Sequence, residues 1–518
     1  MAGPIGFNGI DADLGHLGPF GWGLPPLMLG QRVVNSVGME QLSTLDAGFL
    51  EAEDSDRHVS LAIGALSVIA GPMPAFDSLV AGLAERLLSV PRFSQVLRTR
   101  PFDLGAPQWV DDADIDLSHH VRRAALPRPG DDAALFRWVA EVMERRLDRD
   151  RPLWECWIVD GLPCNRWAIL MKIHHCIADG IAATNMLARL CDDVEGGTFA
   201  TKIRAAKEEP TRGGLRLPRL SLNPVEWITG AWHTSLGVAN AAAQIAQGAV
   251  EIAGGLLRPA ESSLTGPVTS MRRYAGIEVS LADVTRICET FDVTVNDVAL
   301  AAITDGFRAV LTRRGEEPKR NSLPTFVPVS VRYSDAADRT DNRVSIMLPH
   351  LPVETADPVE QLRTVHERLT KAKSSGQRQA ASVFVSAANA MPFALTAWTV
   401  RALTRLPQRG VVTLVTNVPG PRKRLRIMGR EVIQLLPIPP IALQLRIVIA
   451  ILSYADHLVF GITADYDGAP DVDDLAGGIA RAVTRLAQIS AAPTRSTPLG
   501  KLALVEGEDG SHVPAARA

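Results

Sequence analysis

The stretch ECWIVDGLPCNRWAILMKIHHCIADG, at residues 155–180, contains two apolar runs on either side of a Gly-Leu-Pro-Cys-Asn turn. Two strand-length runs around a short turn are typical of a β-hairpin. The second run ends at two adjacent histidines, and apolar side chains recur at roughly helical spacing after Gly180. The sequence therefore predicts a hairpin whose second strand leads through the segment HHCIADG into a helix that begins near Gly180.

The histidines of this segment are candidates for proton transfer. Histidine has an ordinary pKa of about 6.5, so it can accept a proton near neutral pH. A loop between packed elements can hold such a side chain at a cleft. Asp179 can fix the loop by accepting backbone hydrogen bonds or by pairing with a cation, and Gly180 permits a tight turn. One of the two histidines is thus a candidate general base.

A metal site and a structural pair of histidines are the alternatives. Adjacent strand residues point to opposite faces, so His174 and His175 do not readily share one metal ion. The sequence contains no HExxH motif and no Cys/His cluster that would complete such a site, and we predict no metal. An isolated pair of histidines is ordinarily structural. We interpret His119 and His120 in this way, because no Asp-Gly follows them at the same spacing.

Composition limits the classes of protein to which the chain can belong. A length of 518 residues favours two domains of roughly 200 residues each. With 46% hydrophobic and 21% charged residues the chain is typical of globular proteins. A net charge of -3 provides no general attraction for nucleic acid, and we expect no such partner. The five cysteines form no CxxC motif, which suits a reducing compartment and predicts a cytoplasmic protein.

The distribution of glycine, proline and apolar runs predicts the domain organisation. The first 38 residues are crowded with glycine and proline and lack the pattern of a signal peptide. We predict a loosely ordered extension at 1–38, a first α/β domain at 39–200, a helical linker at 201–270, a second α/β domain at 271–495 and a tail at 496–518.

Two apolar segments could either contact a membrane or belong to the folded protein. Residues 227–250 contain no charged side chain and no proline, which predicts a long helix that either packs on the protein or rests one face on a membrane surface. The segment VIQLLPIPPIALQLRIVIAILSY, from Val432 to Tyr454, is interrupted by three prolines and Arg446. A membrane-spanning helix needs about 20 mostly apolar residues. We therefore predict two strands in this segment.

The second half of the chain has a mixed α/β pattern. Residues 279–315 predict two helices that are joined by the turn FDVTVND. Strand-length alternation then follows in FVPVSVRY, RVSIMLPHLPV, VVTLVTNVPG, IVIAILSY and LVFGITAD. Both halves thus combine strands with helices.

The segment HHCIADG matches the HHxxxDG motif of the coenzyme A-dependent acyltransferase superfamily. The surrounding sequence resembles the bacterial wax ester synthase/acyl-CoA:diacylglycerol acyltransferase family from about Met39 to Ala487. Further landmarks occur in that family's order: EQLSTLDAGFLEAE from Glu40, RPLWECWIVDGL from Arg151, TVNDVALAAI from Thr294, TNVPGP from Thr416 and SYADHLVFGITADYD from Ser453. Residues 1–38 have no counterpart, and Cys176 stands where the family usually has a small or aliphatic residue.

The resemblance implies an α/β fold of two chloramphenicol-acetyltransferase-like subdomains, with mixed sheets flanked by helices and an active-site channel between them. It implies acyl-CoA as co-substrate and no permanently bound cofactor. It assigns His175 as general base and His174 as loop support, while Asp179 has a structural role through an arginine and Gly180 makes the turn. The residues themselves leave open a triad role for Asp179.

Residues of three other landmark segments could serve either the fold or the substrate channel. Asn296 and Asp297 stand at a predicted helix start, where they either cap the helix or contribute to the substrate channel. Asn417, Pro419 and Gly420 belong to a rigid turn that the resemblance places near the cleft. The Pro-Leu-Trp element at 152–154 is expected to pack in the core.

We therefore expect an O-acyltransferase that moves a long acyl chain from acyl-CoA to diacylglycerol, to a fatty alcohol or to both. Lipid acceptors imply peripheral contact with the inner membrane or lipid droplets. The alternatives are a superfamily enzyme with a phenolic, polyketide or carrier-protein-linked acceptor, and a non-catalytic lipid-binding relative.

Overall fold

The computed structural model describes residues 40–99, 105–112, 115–178, 180–192, 262–330, 344–374, 410–442 and 444–491. Its helices are α1 Thr44–Ser55, α2 Phe76–Leu88, α3 Asp132–Glu144, α4 Gly180–Arg189, α5 Leu281–Phe291, α6 Val295–Arg313, α7 Pro358–Ser374 and α8 Val472–Ala491. Its strands are β1 Ala62–Ala70, β2 Gln95–Arg98, β3 Gln108–Asp111, β4 Val121–Ala125, β5 Trp154–Leu162, β6 Arg166–His174, β7 Arg272–Ser280, β8 Thr325–Ser330, β9 Val344–Met347, β10 Thr413–Val418, β11 Arg426–Ile427, β12 Arg430–Ile438, β13 Ile447–Tyr454 and β14 His457–Asp465. Predictions for 1–38, for the helix at 227–250, for the tail at 496–518 and for Asp179 concern residues outside these ranges.

The first sheet has the strand order β11-β12-β1-β6-β5-β4. Strands β5 and β6 form the predicted antiparallel hairpin, and Cys164 and Asn165 in its turn adopt positive φ angles of 58° and 55°. Strand β6 lies at the middle of the sheet, and every residue after Arg166 is buried. This central position explains the apolar run that precedes the histidines, because both faces of the strand are covered.

The second sheet has the order β7-β14-β13-β10-β8-β9. Strand β10 runs parallel to β8 and β13, whereas the other pairs are antiparallel. The predicted mixed α/β class is therefore confirmed. The predicted pair of helices is present as α5 and α6, and the apolar segment before Tyr454 is divided between β12 and β13 as predicted.

The second half of the chain contributes two strands, β11 and β12, to the first sheet, and these strands join the two sheets. Strand β12 pairs with β1 and crosses β14, where the backbone carbonyl of Pro437 lies so close to Gly461 that a Cβ atom would stand 1.7 Å from it. Tyr274 donates a hydrogen bond to the same carbonyl at 3.0 Å. The prediction of two consecutive domains did not include the pairing of β12 with β1, because pairing between distant segments leaves no local pattern in the sequence.

The Pro-Leu-Trp element packs in the first core, as predicted. Trp154 is buried, donates a hydrogen bond from Nε1 to the carbonyl of Phe93, and stacks between Phe93 and His120. His120 is also buried, and its Nδ1 lies 2.9 Å from the Trp154 carbonyl. The structural interpretation of His120 is therefore confirmed, whereas its neighbour His119 has half of its side chain exposed.

Candidate active site

The loop after β6 has the predicted strand-to-helix geometry. His174 is the last residue of β6, and its N–H donates to the carbonyl of Leu153. The His175 N–H donates to the carbonyl of Leu61 at 3.0 Å, and the Ile177 N–H donates to the carbonyl of His174 at 2.9 Å. Helix α4 then begins at Gly180. The backbone of both histidines is thus fixed by neighbouring segments of the first sheet.

The two histidines lie in different surroundings. The side chain of His174 is 1% exposed, and its Nδ1 accepts a hydrogen bond from the Cys176 N–H at 3.2 Å. In the neutral ring the proton is therefore on Nε2, which lies 3.5 Å from Oε2 of Glu53. His175 is half-buried and stacks on Phe49, with ring centroids 4.1 Å apart. His175 is thus the more exposed member of the pair.

Glu53 lies beneath this loop with 1% of its side chain exposed. Its Oε1 accepts a hydrogen bond from the Leu61 N–H at 2.9 Å, and its Oε2 accepts one from Nη2 of Arg149 at 2.7 Å. Burial by itself would raise the pKa of this carboxyl group. The adjacent imidazole of His174 and the hydrogen bonds from Arg149 and Leu61 outweigh burial and lower the pKa to about 2. Glu53 is therefore ionised at neutral pH.

Two other reactive side chains near the loop are buried. Cys176 is buried, and this burial raises the pKa of its thiol well above the ordinary value. Lys172 is buried too, with a pKa lowered to about 8, and its Nζ donates to the carbonyls of Val142 and Arg145. A protonated thiol is a poor nucleophile. Among the side chains that the structure describes, no His, Cys, Asp and Glu cluster could hold a metal ion.

Asn296 and Asp297 lie in the first turn of α6. The N-cap is Thr294, a residue that the sequence interpretation missed, and Asp297 is its partner in a capping box. Asp297 also receives a hydrogen bond from Nδ1 of His366 at 2.9 Å, and its side chain is 2% exposed. The capping role expected for this pair therefore belongs to Asp297, and half-buried Asn296 stands beside it.

The predicted turn after β10 begins later than expected. Asn417 and Val418 still belong to β10, where Asn417 is paired with Ile451 in register, so the rigid turn comprises Pro419 and Gly420. The Gly420 N–H donates to Oγ of Ser453, and a Cβ atom at this position would stand 2.2 Å from the Ser453 carbonyl. Glycine is required here by close backbone approach.

The structure places His174 at the end of β6, His175 on the loop that follows, and Gly180 at the start of α4. Asn296 and Asp297 lie on α6, and the turn at 419–420 follows a strand of the second sheet, so the predicted channel residues come from separate elements. Sequence reasoning missed Phe49 and Glu53 as neighbours of the histidines and Arg149 as the partner of Glu53. No short-range signal identified them, because the first two lie on α1 and the third precedes β5.

The chain is similar to a well-defined group of proteins. The family profile described as wax ester synthase/diacylglycerol acyltransferase catalytic domain matches residues 42–299, and the profile of the WS/DGAT C-terminal domain matches residues 340–487. A Mycobacterium tuberculosis protein named as a probable diacylglycerol O-acyltransferase is 55% identical over 471 residues, which cover 90% of this chain and 100% of the relative. A second M. tuberculosis protein with a diacylglycerol O-acyltransferase name is 48% identical, over 87% of this chain and 92% of its own.

Solved structures share the fold. A wax ester synthase/diacylglycerol acyltransferase from Marinobacter aquaeolei superposes with a TM-score of 0.62 at 24% identity, covering 87% of this chain and 100% of that one. The starter condensation domain of rhizomide synthetase, in complex with C8-CoA, superposes with a TM-score of 0.52 at 15% identity and covers 88% and 95% of the two chains.

Proposed function

Because the chain belongs to the wax ester synthase/diacylglycerol acyltransferase family, we propose that it transfers a long-chain acyl group from acyl-CoA to the hydroxyl of diacylglycerol and to fatty alcohols. The family profiles and the identity to the mycobacterial relatives support an acyltransferase of this class. The observation that carries the mechanism is the half-buried His175, which stands on the loop of the HHxxxDG motif.

His175 acts as the general base. Its imidazole accepts the proton of the acceptor hydroxyl while the oxygen attacks the thioester carbonyl, so a C–O bond forms. Collapse of the tetrahedral intermediate breaks the C–S bond, and the proton held by His175 passes to the departing coenzyme A thiolate. Direct transfer suits this loop, because the neighbouring thiol of Cys176 is buried and protonated.

The other predicted site residues have supporting roles in this proposal. His174 supports the loop, Asp179 orients it, and Gly180 permits the turn into α4. The observed hydrogen bond from the Cys176 N–H to Nδ1 of His174 supports the first of these roles.

Residues of the second sheet and its helices complete the substrate channel. We assign to it Asn296 at the start of α6, where Asp297 holds the helix end through the capping box, and Asn417, Pro419 and Gly420 at the end of β10. Two water-insoluble chains must reach His175 while the coenzyme A head stays solvated, which requires an apolar tunnel with a polar mouth. Because these residues belong to the second half of the chain and His175 to the first, the proposed channel has walls from both halves.

We place the reaction in the cytoplasm, at the surface of the inner membrane or of lipid droplets. Lipid acceptors partition into such surfaces, so peripheral binding would bring the enzyme to its substrate. The uncharged, tryptophan-bearing sequence at 227–250 is the candidate contact. Among the described residues, no helix combines the length and hydrophobicity that crossing a bilayer requires.

Product analysis with several acceptors tests the proposal. The purified chain would be incubated with labelled palmitoyl-CoA and with diacylglycerol, hexadecanol, glycerol or a phenol, and the lipid products would be resolved. We expect triacylglycerol from diacylglycerol and wax ester from hexadecanol. Transfer to the phenol alone would support a phenolic acyltransferase, and absence of every product would support a lipid-binding relative.

A further inference from the structure

Glu53 lies where it can control the position of the proposed base without contacting substrate. It belongs to α1, far from the HHxxxDG motif in the chain, yet its carboxylate is buried directly beneath the histidine loop. We infer that Glu53 is a positioning residue for His175 and that it acts through Leu61 and His174. This inference rests on the proposed function, because it assigns a role in the reaction of His175.

The first connection runs through the backbone of Leu61. Oε1 of Glu53 accepts the Leu61 N–H at 2.9 Å, and the Leu61 carbonyl accepts the His175 N–H at 3.0 Å. Both hydrogen bonds belong to Leu61, the residue directly before β1. A shift of the Glu53 carboxylate therefore displaces Leu61, whose carbonyl holds the backbone of His175.

The second connection runs through the ring of His174. Oε2 of Glu53 faces Nε2 of this ring, and Nδ1 on the other side accepts the Cys176 N–H. The ring therefore needs its proton on Nε2, and an ionised carboxylate at that side favours this tautomer. The ring links Glu53 to the residue that follows His175, so the backbone is fixed on both sides of the base.

Two arginines hold Glu53 in place. Arg149 donates to its carboxylate through Nη2 and to Asp54 through Nη1. Arg146 donates to the backbone carbonyls of Glu53, Asp56 and Val59, where α1 ends and the chain turns towards β1. These hydrogen bonds confine the Glu53 carboxylate to one position. Movement of the carboxylate away from Arg149 would leave a buried charge without its partner, which is costly in free energy.

The test compares Glu53→Gln with Asp54→Asn in the full chain. Asp54 is a matched control, because it is the next residue of α1 and pairs with the same arginine, yet its side chain is 55% exposed. The rate of acyl transfer from palmitoyl-CoA to diacylglycerol would be measured well below the melting temperature of each variant. We expect Glu53→Gln to lower kcat by about tenfold or more with KM within about twofold, since small displacements of a catalytic group have effects of this size.

Asp54→Asn should keep kcat within about twofold of the original chain. Equal kcat values in the two variants, or a raised KM with unchanged kcat in Glu53→Gln, would overturn the inference while leaving the proposed function intact. Absence of transfer by the original chain would instead overturn the proposed function, and with it the role of Glu53. If Glu53→Gln does not fold, Glu53→Asp retains the charge but withdraws it by one methylene, and an unchanged kcat in that variant would overturn the inference.

Discussion

The ring of Phe49 stacks on the imidazole of His175, with centroids 4.1 Å apart and an angle of 27° between the planes. Phe49 is half-buried on α1, so the helix that contains Glu53 also covers one face of the proposed base. Leu61 thus holds the backbone of His175, and Phe49 covers one face of its ring.

Replacement of this aromatic ring should slow the reaction. We expect Phe49→Leu to lower kcat by about two- to tenfold, because an aromatic pair contributes about 0.5–1.5 kcal/mol beyond its burial. Steady-state kinetics with palmitoyl-CoA and diacylglycerol measures the change. The control is Phe76→Leu, since Phe76 is half-buried against the first core and contacts Arg123. Equal losses in both variants would show that the stacking on His175 has no special effect.

Glu53 should make stability depend on acidity in a defined window. Its pKa is about 2 in the folded chain and 4.5 ordinarily, so its contribution is fully present above pH 4.5 and is lost as the pH falls towards 2. The shift corresponds to about 3 kcal/mol. Urea unfolding between pH 7 and pH 3 should therefore show a smaller loss of stability on acidification in Glu53→Gln than in the original chain. Parallel curves for the two proteins would contradict the lowered pKa.

The crossing of β12 over β14 should not tolerate a side chain at Gly461. A Cβ atom there would stand 1.7 Å from the Pro437 carbonyl, so Gly461→Ala must separate the strands that join the two sheets. We expect the free energy of unfolding to fall by about 3 kcal/mol or more. Gly48→Ala is the control, because nothing lies within 4 Å of its Cβ position, and it should be neutral or stabilising. A stable Gly461→Ala variant would contradict the crossing.

The local geometry of the site could be predicted from sequence, but its surroundings could not. Apolar runs and turn residues within one short segment specify the hairpin that ends at His174 and the helix that begins at Gly180. Nothing in TLDAGFLEAEDS distinguishes Glu53 from Glu51 as the partner of a histidine. That partnership depends on where the sheet places α1, which is a matter of tertiary packing.

The same limit applies to the sheets. Six strands of the second half, β8, β9, β10, β12, β13 and β14, could be predicted from their apolar runs, whereas β7, β11 and the placement of β12 in the first sheet could not. Strand periodicity shows which residues of a strand are buried but gives no information on which distant strand lies beside it.

Substitution of Asn296 should affect activity, whereas substitution of Asp297 should affect stability. Asp297 completes the capping box with Thr294 and binds His366, so Asp297→Ala should lower the free energy of unfolding by about 2 kcal/mol. Asn296→Ala should leave stability within about 0.5 kcal/mol, because Asn296 is only half-buried and is not part of the capping box, and it should lower kcat/KM for diacylglycerol. Thermal unfolding and kinetics of both variants measure this difference. A large loss of stability in Asn296→Ala would remove the case for its channel role.

The most direct test of the account is the turnover of His175→Ala with palmitoyl-CoA and diacylglycerol, followed by release of the coenzyme A thiol. His119→Ala is the matched control, because His119 belongs to the other histidine pair and is half exposed. We predict that His175→Ala keeps its circular dichroism spectrum and loses about 100-fold or more in kcat, as removal of a general base does, whereas His119→Ala keeps its activity. A folded His175→Ala variant that turns over at the rate of the original chain would contradict the account.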